Sequence, residues 1–178
     1  ADATQDAMAP LKSFVPSAEE PGNDFSIQNL PLGACRVRGS VAPRCCSRIG
    51  DLVVDLSACQ KAGLLNGAIL SQPGPAQTLA SQPTLNAFAE LGPSARKELR
   101  ETLQRLLSSD EGVLRDNAAL REEVLVKVAD TESALPMTVG DYTDFYASRE
   151  HASNVGTMFG RDPPLAANWS HLPIGYHG

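Results

Sequence analysis

Between Lys97 and Leu107 apolar side chains recur at Leu99, Leu103, Leu106 and Leu107, three and four residues apart, with Lys97, Arg100 and Glu101 on the other side of the period. That spacing turns one stripe to a core and the charges to water, so it predicts a helix, capped by Ser94 and packed on the domain's own core. Ahead of it, Thr84 to Leu91 predicts a short helix ending at Gly92-Pro93, where glycine releases the chain and proline cannot extend it. Val113, Leu114, Asn117, Leu120 and Val124 carry the spacing on as a third helix or a helical hairpin. A shorter period governs Cys35 to Leu56. Ile49 and Leu52 to Val54 flank Gly50-Asp51, which reads as a β-hairpin, and the region is predicted to be mostly strand in a small barrel or sandwich. Arg36, Arg38, Arg44 and Arg48 fit the solvent face of an edge strand better than an anion site. Lys12 to Gly33 is dense in turn formers and reads as an irregular lead-in, and Ser71 to Ala76 as a Gly/Pro/Gln-rich link. No repeat or heptad array is present, which excludes a solenoid or coiled coil.

The chain has 178 residues, 42% of them hydrophobic and 20% charged, which suits one generous domain or a domain and part of another, and not a disordered chain. A net charge of −6 argues against nucleic acid as a partner. No stretch approaches the ~18 apolar residues of a membrane span, and the opening ADATQDAMAP has no secretion leader, so a soluble cytoplasmic protein is expected. Cys35, Cys45, Cys46 and Cys59 contain no CxxC pair, and they read as reduced, buried thiols.

All three His, all three Tyr and the only Trp lie beyond Pro136. The preceding residues offer little acid–base equipment near neutral pH. A boundary between Ala129 and Val139 follows, with 1–135 as support and 136–178 as the site-bearing part.

Asp141 to His151 holds two aspartates, two tyrosines and one histidine. In one reading Asp141 caps a continuous helix, Asp144 sits favourably at its positive end, and neither acid needs a functional role. In the other, Asp144 to Tyr146 is extended, so both side chains point one way, and Ser148 caps a helix that Asn154 and Gly156 close. His151 then lies in the first helical turn, where the partial positive charge favours a neutral imidazole able to take a proton. Periodicity alone leaves both open.

The string GDYTDFYASREHASNVGTMF, followed by NWSHLPIGYHG, closely resembles the fumarylacetoacetase family. SFVPSAEEPGNDFSIQNLPLGACRVRG, RIGDLVVDLS, QPTLNAFAELG and LRDNAALR resemble its earlier segments in the same order, from about Ser13 to Gly178. Related acylpyruvate hydrolases and decarboxylases generally lack the N-terminal portion, which favours fumarylacetoacetase over its cousins. The resemblance implies a mainly β fold with some α: a small N-terminal SH3-like barrel domain with helices, then the start of a mostly β catalytic domain, assembled as a homodimer. It implies that Asp144 binds a divalent metal, Ca or Mg, and that His151 activates the attacking water. It also implies that Tyr146 and Tyr176 contact a small diketo-acid substrate, as does an arginine after the Met-Phe pair. Here Gly160 follows Phe159, so matching Arg161 to that arginine requires a one-residue shift. The family's other metal carboxylates, the acid partner of the histidine and a substrate-binding lysine all lie downstream of Gly178.

The residue types suit such chemistry. Hydrolysing a β-diketone needs a base for the water and a divalent ion to stabilise the departing enolate, and oxygen ligands suit Ca or Mg. His171 and His177 read as supporting groups, because hard ions prefer oxygen, and Trp169 as filler at the domain junction. Two functions are expected. The first is part of a carbon–carbon hydrolase yielding fumarate and acetoacetate, with the isolated chain inactive; the alternative is a non-catalytic assembly or interaction module.

Overall fold

The structure, a computed structural model, describes residues 10–178. The residues 1–9, read above for a leader, lie outside them. The chain divides into a first compact unit ending at Thr138 and a second, Val139–Gly178.

In the first unit the lead-in is irregular, with a single 3-10 turn at Pro16–Ala18, and its Val15, Ala18, Ile27 and Leu30 are buried. Three antiparallel strands follow: β1 (Leu32–Val37), β2 (Arg44–Ile49) and β3 (Leu52–Asp55). The Gly50-Asp51 turn forms as predicted, with Ile49 opposite Leu52 and Gly50 at φ 53°. A Cβ at Gly50 would overlap Ser17 and the Ala18 backbone, so only glycine lets the lead-in lie against the turn.

Six helices come next: α1 (Leu56–Lys61), α2 (Pro73–Ala80), α3 (Asn86–Glu90), α4 (Gly92–Leu107), α5 (Gly112–Arg115) and α6 (Ala118–Val124). The α4 stripe is buried as its period requires, and it packs into the unit's main core with Phe88, Ile27 and Leu65. Ser94 does not cap it. The helix already starts at Gly92, because proline at position 93 belongs in a first turn, where its missing N–H costs nothing. The expected link at Ser71 to Ala76 becomes the start of α2 for the same reason, with Pro73 leading it. The third helical region resolves into α5 and α6, the latter capped by the Asn117 side chain on Leu120 N–H at 3.1 Å.

Two further strands, β4 (Leu125–Lys127) and β5 (Thr131–Ala134), complete a five-stranded sheet of order β4-β3-β2-β1-β5. Only the 3-10 turn Val128–Asp130 joins these two edge strands, a reach of ~14 Å at full extension. The outer strands of a flat five-stranded sheet lie ~19 Å apart. The sheet is therefore curled, a half-barrel. Among the described residues helix exceeds strand, so the fold is mixed α/β and not mainly β; the amphipathic stretches between β3 and β4 outweigh the short strands.

The sheet also revises the arginine cluster. β1 and β2 are central, not edge, strands, and each arginine has a partner inside the unit. Arg44 pairs with Asp55 at 2.7 Å, Arg36 with Glu132 at 3.5 Å and Arg38 with Asp130 at 3.7 Å, while Arg48 lies 3.6 Å over the Phe25 ring. All four cysteines are buried and free. Strand alternation sends Cys45 into the main core and Cys46 to the opposite face beside Cys35 and Val53. Burial, reinforced by Asp55, pushes the Cys45 thiol up to about 11 and the Cys59 thiol to about 12.

The second unit has one two-stranded antiparallel sheet, β6 (Thr143–Phe145) with β7 (Gly175–His177), and one longer helix, α7 (Arg149–Met158). Among the described residues no helix is long and apolar enough to cross a membrane.

Candidate active site

Of the two backbone readings of Asp141 to His151, the structure adopts the extended one. Thr143–Phe145 is strand, and Tyr146 N–H adds one more rung by donating to Ile174 O at 3.2 Å. Alternation then places Asp144 and Tyr146 on the same side. In the register of β6 against β7, Asp144 is directly opposite Tyr176. Tyr176 therefore shares that side, and its ring meets the Tyr146 ring edge-on at 6.3 Å.

Ser148 ends the extended stretch and caps α7, its hydroxyl accepting from His151 N–H at 3.2 Å. This puts His151 in the first helical turn and turns its ring to Tyr146, 5.6 Å away and nearly perpendicular. The Tyr146 hydroxyl donates to Ala152 O at 3.3 Å, tying strand to helix. The helix does not close at Asn154 and Gly156. It runs to Met158 and is released at Gly160, φ 66°. Gly156 has a different use: a Cβ there would overlap the Pro164 carbonyl, so its absence lets the returning loop lie on α7.

Trp169, read above as junction filler, donates its indole Nε1–H to Tyr146 O at 2.8 Å, within its own unit. It also lines a cleft of about 350 Å³ with Phe145, Tyr146, His171 and Leu172. His177 stands 3.7 Å from Asp141, both exposed.

The structure thus brings Tyr146, His151 and Tyr176 together and sets Asp144 opposite Tyr176. It does not bring in Arg161, whose backbone N–H bonds Gly156 O at 2.9 Å. Among the described residues the Arg161 side chain makes no hydrogen bond or ion pair with the other four. Asp144 is exposed and offers one hard oxygen donor, but no group of three or more His, Cys, Asp or Glu among the described residues could hold a metal. Asp144 fits as one ligand of Ca or Mg and not as a complete set. Sequence reasoning missed Trp169 and Gly156; the signal for glycine, a close backbone approach, exists only once the loop is placed.

A sequence model of the family described as Fumarylacetoacetase N-terminal matches residues 28–136. The chain is 51% identical to the fumarylacetoacetase of Oryza sativa subsp. japonica over 97% of its length and 40% of the relative's. With the Homo sapiens fumarylacetoacetase the identity is 47% over 93% of this chain and 38% of that one, and with the Dictyostelium discoideum fumarylacetoacetase 42% over 96% and 39%. The chain spans about 40% of the length of the curated relatives it matches. On a family match covering more than half of its residues, and on identities of 42% and above along nearly all of them, the chain belongs to the fumarylacetoacetase family.

Proposed function

We propose that this chain supplies the support domain and the first site residues of a hydrolase that splits 4-fumarylacetoacetate with water into fumarate and acetoacetate, the closing step of tyrosine breakdown. The observation that carries the reading is the grouping of Tyr146, His151 and Tyr176 on one side of β6 and β7, with Asp144 in register opposite Tyr176. A module used only for binding has no physical need of a base, a hard oxygen donor and two phenols at one place.

In this reading His151 takes the proton of the attacking water, a contribution of ~10² to 10⁴ in rate. Tyr146 and Tyr176 orient the diketo acid, and Arg161 binds its carboxylate after movement of its exposed side chain. Asp144 is one ligand of Ca or Mg, and the remaining ligands lie beyond residue 178. A divalent ion, with Asp144 as one of its ligands, would supply Lewis-acid stabilisation of the enolate charge that develops on the departing carbon. The water's hydroxyl ends on the carbonyl carbon, and its proton replaces the broken carbon–carbon bond. We further propose that the first unit is an SH3-like barrel domain, supported by five antiparallel strands and a 3-10 turn between the last two. The working protein in this reading is a cytoplasmic homodimer.

The test uses a full-length protein. His151→Ala should abolish turnover and leave metal and substrate-analogue affinity nearly intact, because only proton acceptance is removed. Asp144→Ala should lose metal affinity first, and excess metal should partly restore its rate. Unchanged metal binding in Asp144→Ala, read by calorimetry, would sink the assignment. The 178-residue chain alone should bind Ca or Mg weakly, and micromolar affinity there would show that the site is misplaced.

A further inference from the structure

β6 leaves the ladder at Tyr146, which is also where the strand must hand over to the helix carrying His151. A two-stranded ribbon is marginal by itself, so something must fix the backbone at this exit. The Tyr146 N–H is held by Ile174 O at 3.2 Å, its hydroxyl by Ala152 O at 3.3 Å, and its carbonyl by the Trp169 indole Nε1–H at 2.8 Å. Of these three, only the last comes from a side chain outside β6, β7 and α7, and indole nitrogen is a donor and nothing else. The half-buried Trp169 sits in the 3-10 turn Ala167–Ser170, and the loop leading to it rests on α7 where Gly156 admits the Pro164 carbonyl.

We infer that Trp169 is a positioning residue: its indole N–H fixes the Tyr146 backbone and so holds the Tyr146 ring between His151 and Tyr176. The fixing needs no part of the proposed reaction, whereas its consequence for turnover rests on that reading. The carbonyl bond sets the peptide plane after Tyr146, and with it the direction in which Ala147 and Ser148 start α7. Loss of the donor frees that plane, and the Tyr146–His151 ring contact of 5.6 Å loosens with it.

The test exploits Trp169 being the only tryptophan of the chain. Biosynthetic replacement of tryptophan by β-(3-benzothienyl)alanine swaps the N–H for sulfur at that one position and keeps the bicyclic shape. In the 178-residue chain with tryptophan, the indole N–H should exchange slowly with solvent and the Tyr146 and His151 rings should show an NMR cross-relaxation peak. With the analogue, and with Trp169→Phe, that ring–ring peak should fall at least threefold while the amide pattern of the first unit stays unchanged. A full-strength peak in the folded analogue protein overturns the inference, as does an indole N–H that exchanges at the rate of free tryptophan. In a full-length protein, Trp169→Phe should lower kcat/KM by ~10- to 100-fold, the cost of misplacing a reacting group by about 1 Å. A full-length protein that turns over nothing would refute the hydrolase reading and leave the ring–ring result standing; normal turnover in Trp169→Phe would refute the positioning role.

Discussion

Asp55 ends β3 with its carboxylate buried, accepting from Ala58 N–H at 3.0 Å as the cap of α1 and holding Arg44 at 2.7 Å. One side chain thus closes a strand, opens a helix and pairs a neighbouring strand. Its removal deletes a cap and a charge-assisted bond together, so Asp55→Ala should destabilise the first unit by ~2 to 4 kcal/mol in urea unfolding. Asp55→Asn keeps an acceptor for Ala58 and should cost less. Arg44→Ala should also cost less, because the guanidinium is partly in water, its side chain 43% exposed. A loss under 0.5 kcal/mol in Asp55→Ala would show that the bonds formed merely replace equal ones to solvent. None of this was readable beforehand: Asp55 lies at the end of an apolar run, and its two partners come from a helix start and a neighbouring strand.

The helix carrying His151 depends on its first turn. Ser148→Ala removes the acceptor for His151 N–H and should cost ~0.5 to 2 kcal/mol of local stability, seen as faster amide exchange at His151 and Ala152. Ser148→Asp should restore protection, since a carboxylate both caps and favours the positive helix end; equal exchange in all three proteins would refute the cap. This element was half readable: Ser148 as cap and the spacing of Asp144 and Tyr146 are local signals, but so was Asp141 as cap of a continuous helix, and only the pairing of β6 with β7 decides between them. The Gly50-Asp51 hairpin and the stripe of α4 carried no such rival and were legible outright. Where local signals conflict, reading failed. Pro73 and Pro75 suggested a link, yet proline is welcome in the first turn of α2. β4 and β5 were invisible because three and four residues carry no period, and β5 exists only through pairing with distant β1. At the site, the Tyr146–His151 contact belongs to one of two readings that spacing left open, whereas Tyr176 depended on the register of β7 and Trp169 on the loop's return path.

For the first unit taken together, two of the buried thiols, Cys45 and Cys59, contribute an alkaline limit. Cys45 and Cys59 titrate from about 9 when unfolded but at about 11 and about 12 when folded. Below pH 9 both states keep the proton. Above it the unfolded chain releases protons that the folded one retains, so stability falls as pH rises from 9 through 12, by up to about 1.4 kcal/mol per pH unit for each thiol. Urea midpoints measured from pH 8 to 11 should show the decline, and Cys45→Ala with Cys59→Ala should make it shallower from a lower starting stability, with the Cys46 thiol, also pushed up by its bond to Cys35 and by burial, still in place. Parallel curves for the two proteins would assign the alkaline loss to other groups.

The three-residue turn between β4 and β5 has a kinetic consequence. β1, β2 and β3 follow one another in sequence, but both edges of their sheet wait for a segment that arrives only after residues 56–124. Closing so long a loop costs entropy before any rung forms, although each doubling of loop length adds only ~0.6 kcal/mol. The rate-limiting ensemble should therefore hold the β1–β3 meander against α1 and α4, with β4 and β5 still free. Val54→Ala should then slow folding, whereas Ala134→Gly should chiefly speed unfolding, as stopped-flow chevrons would resolve. Such a protein buries its core early and fastens its sheet last, with one short turn clasping both margins in a single event.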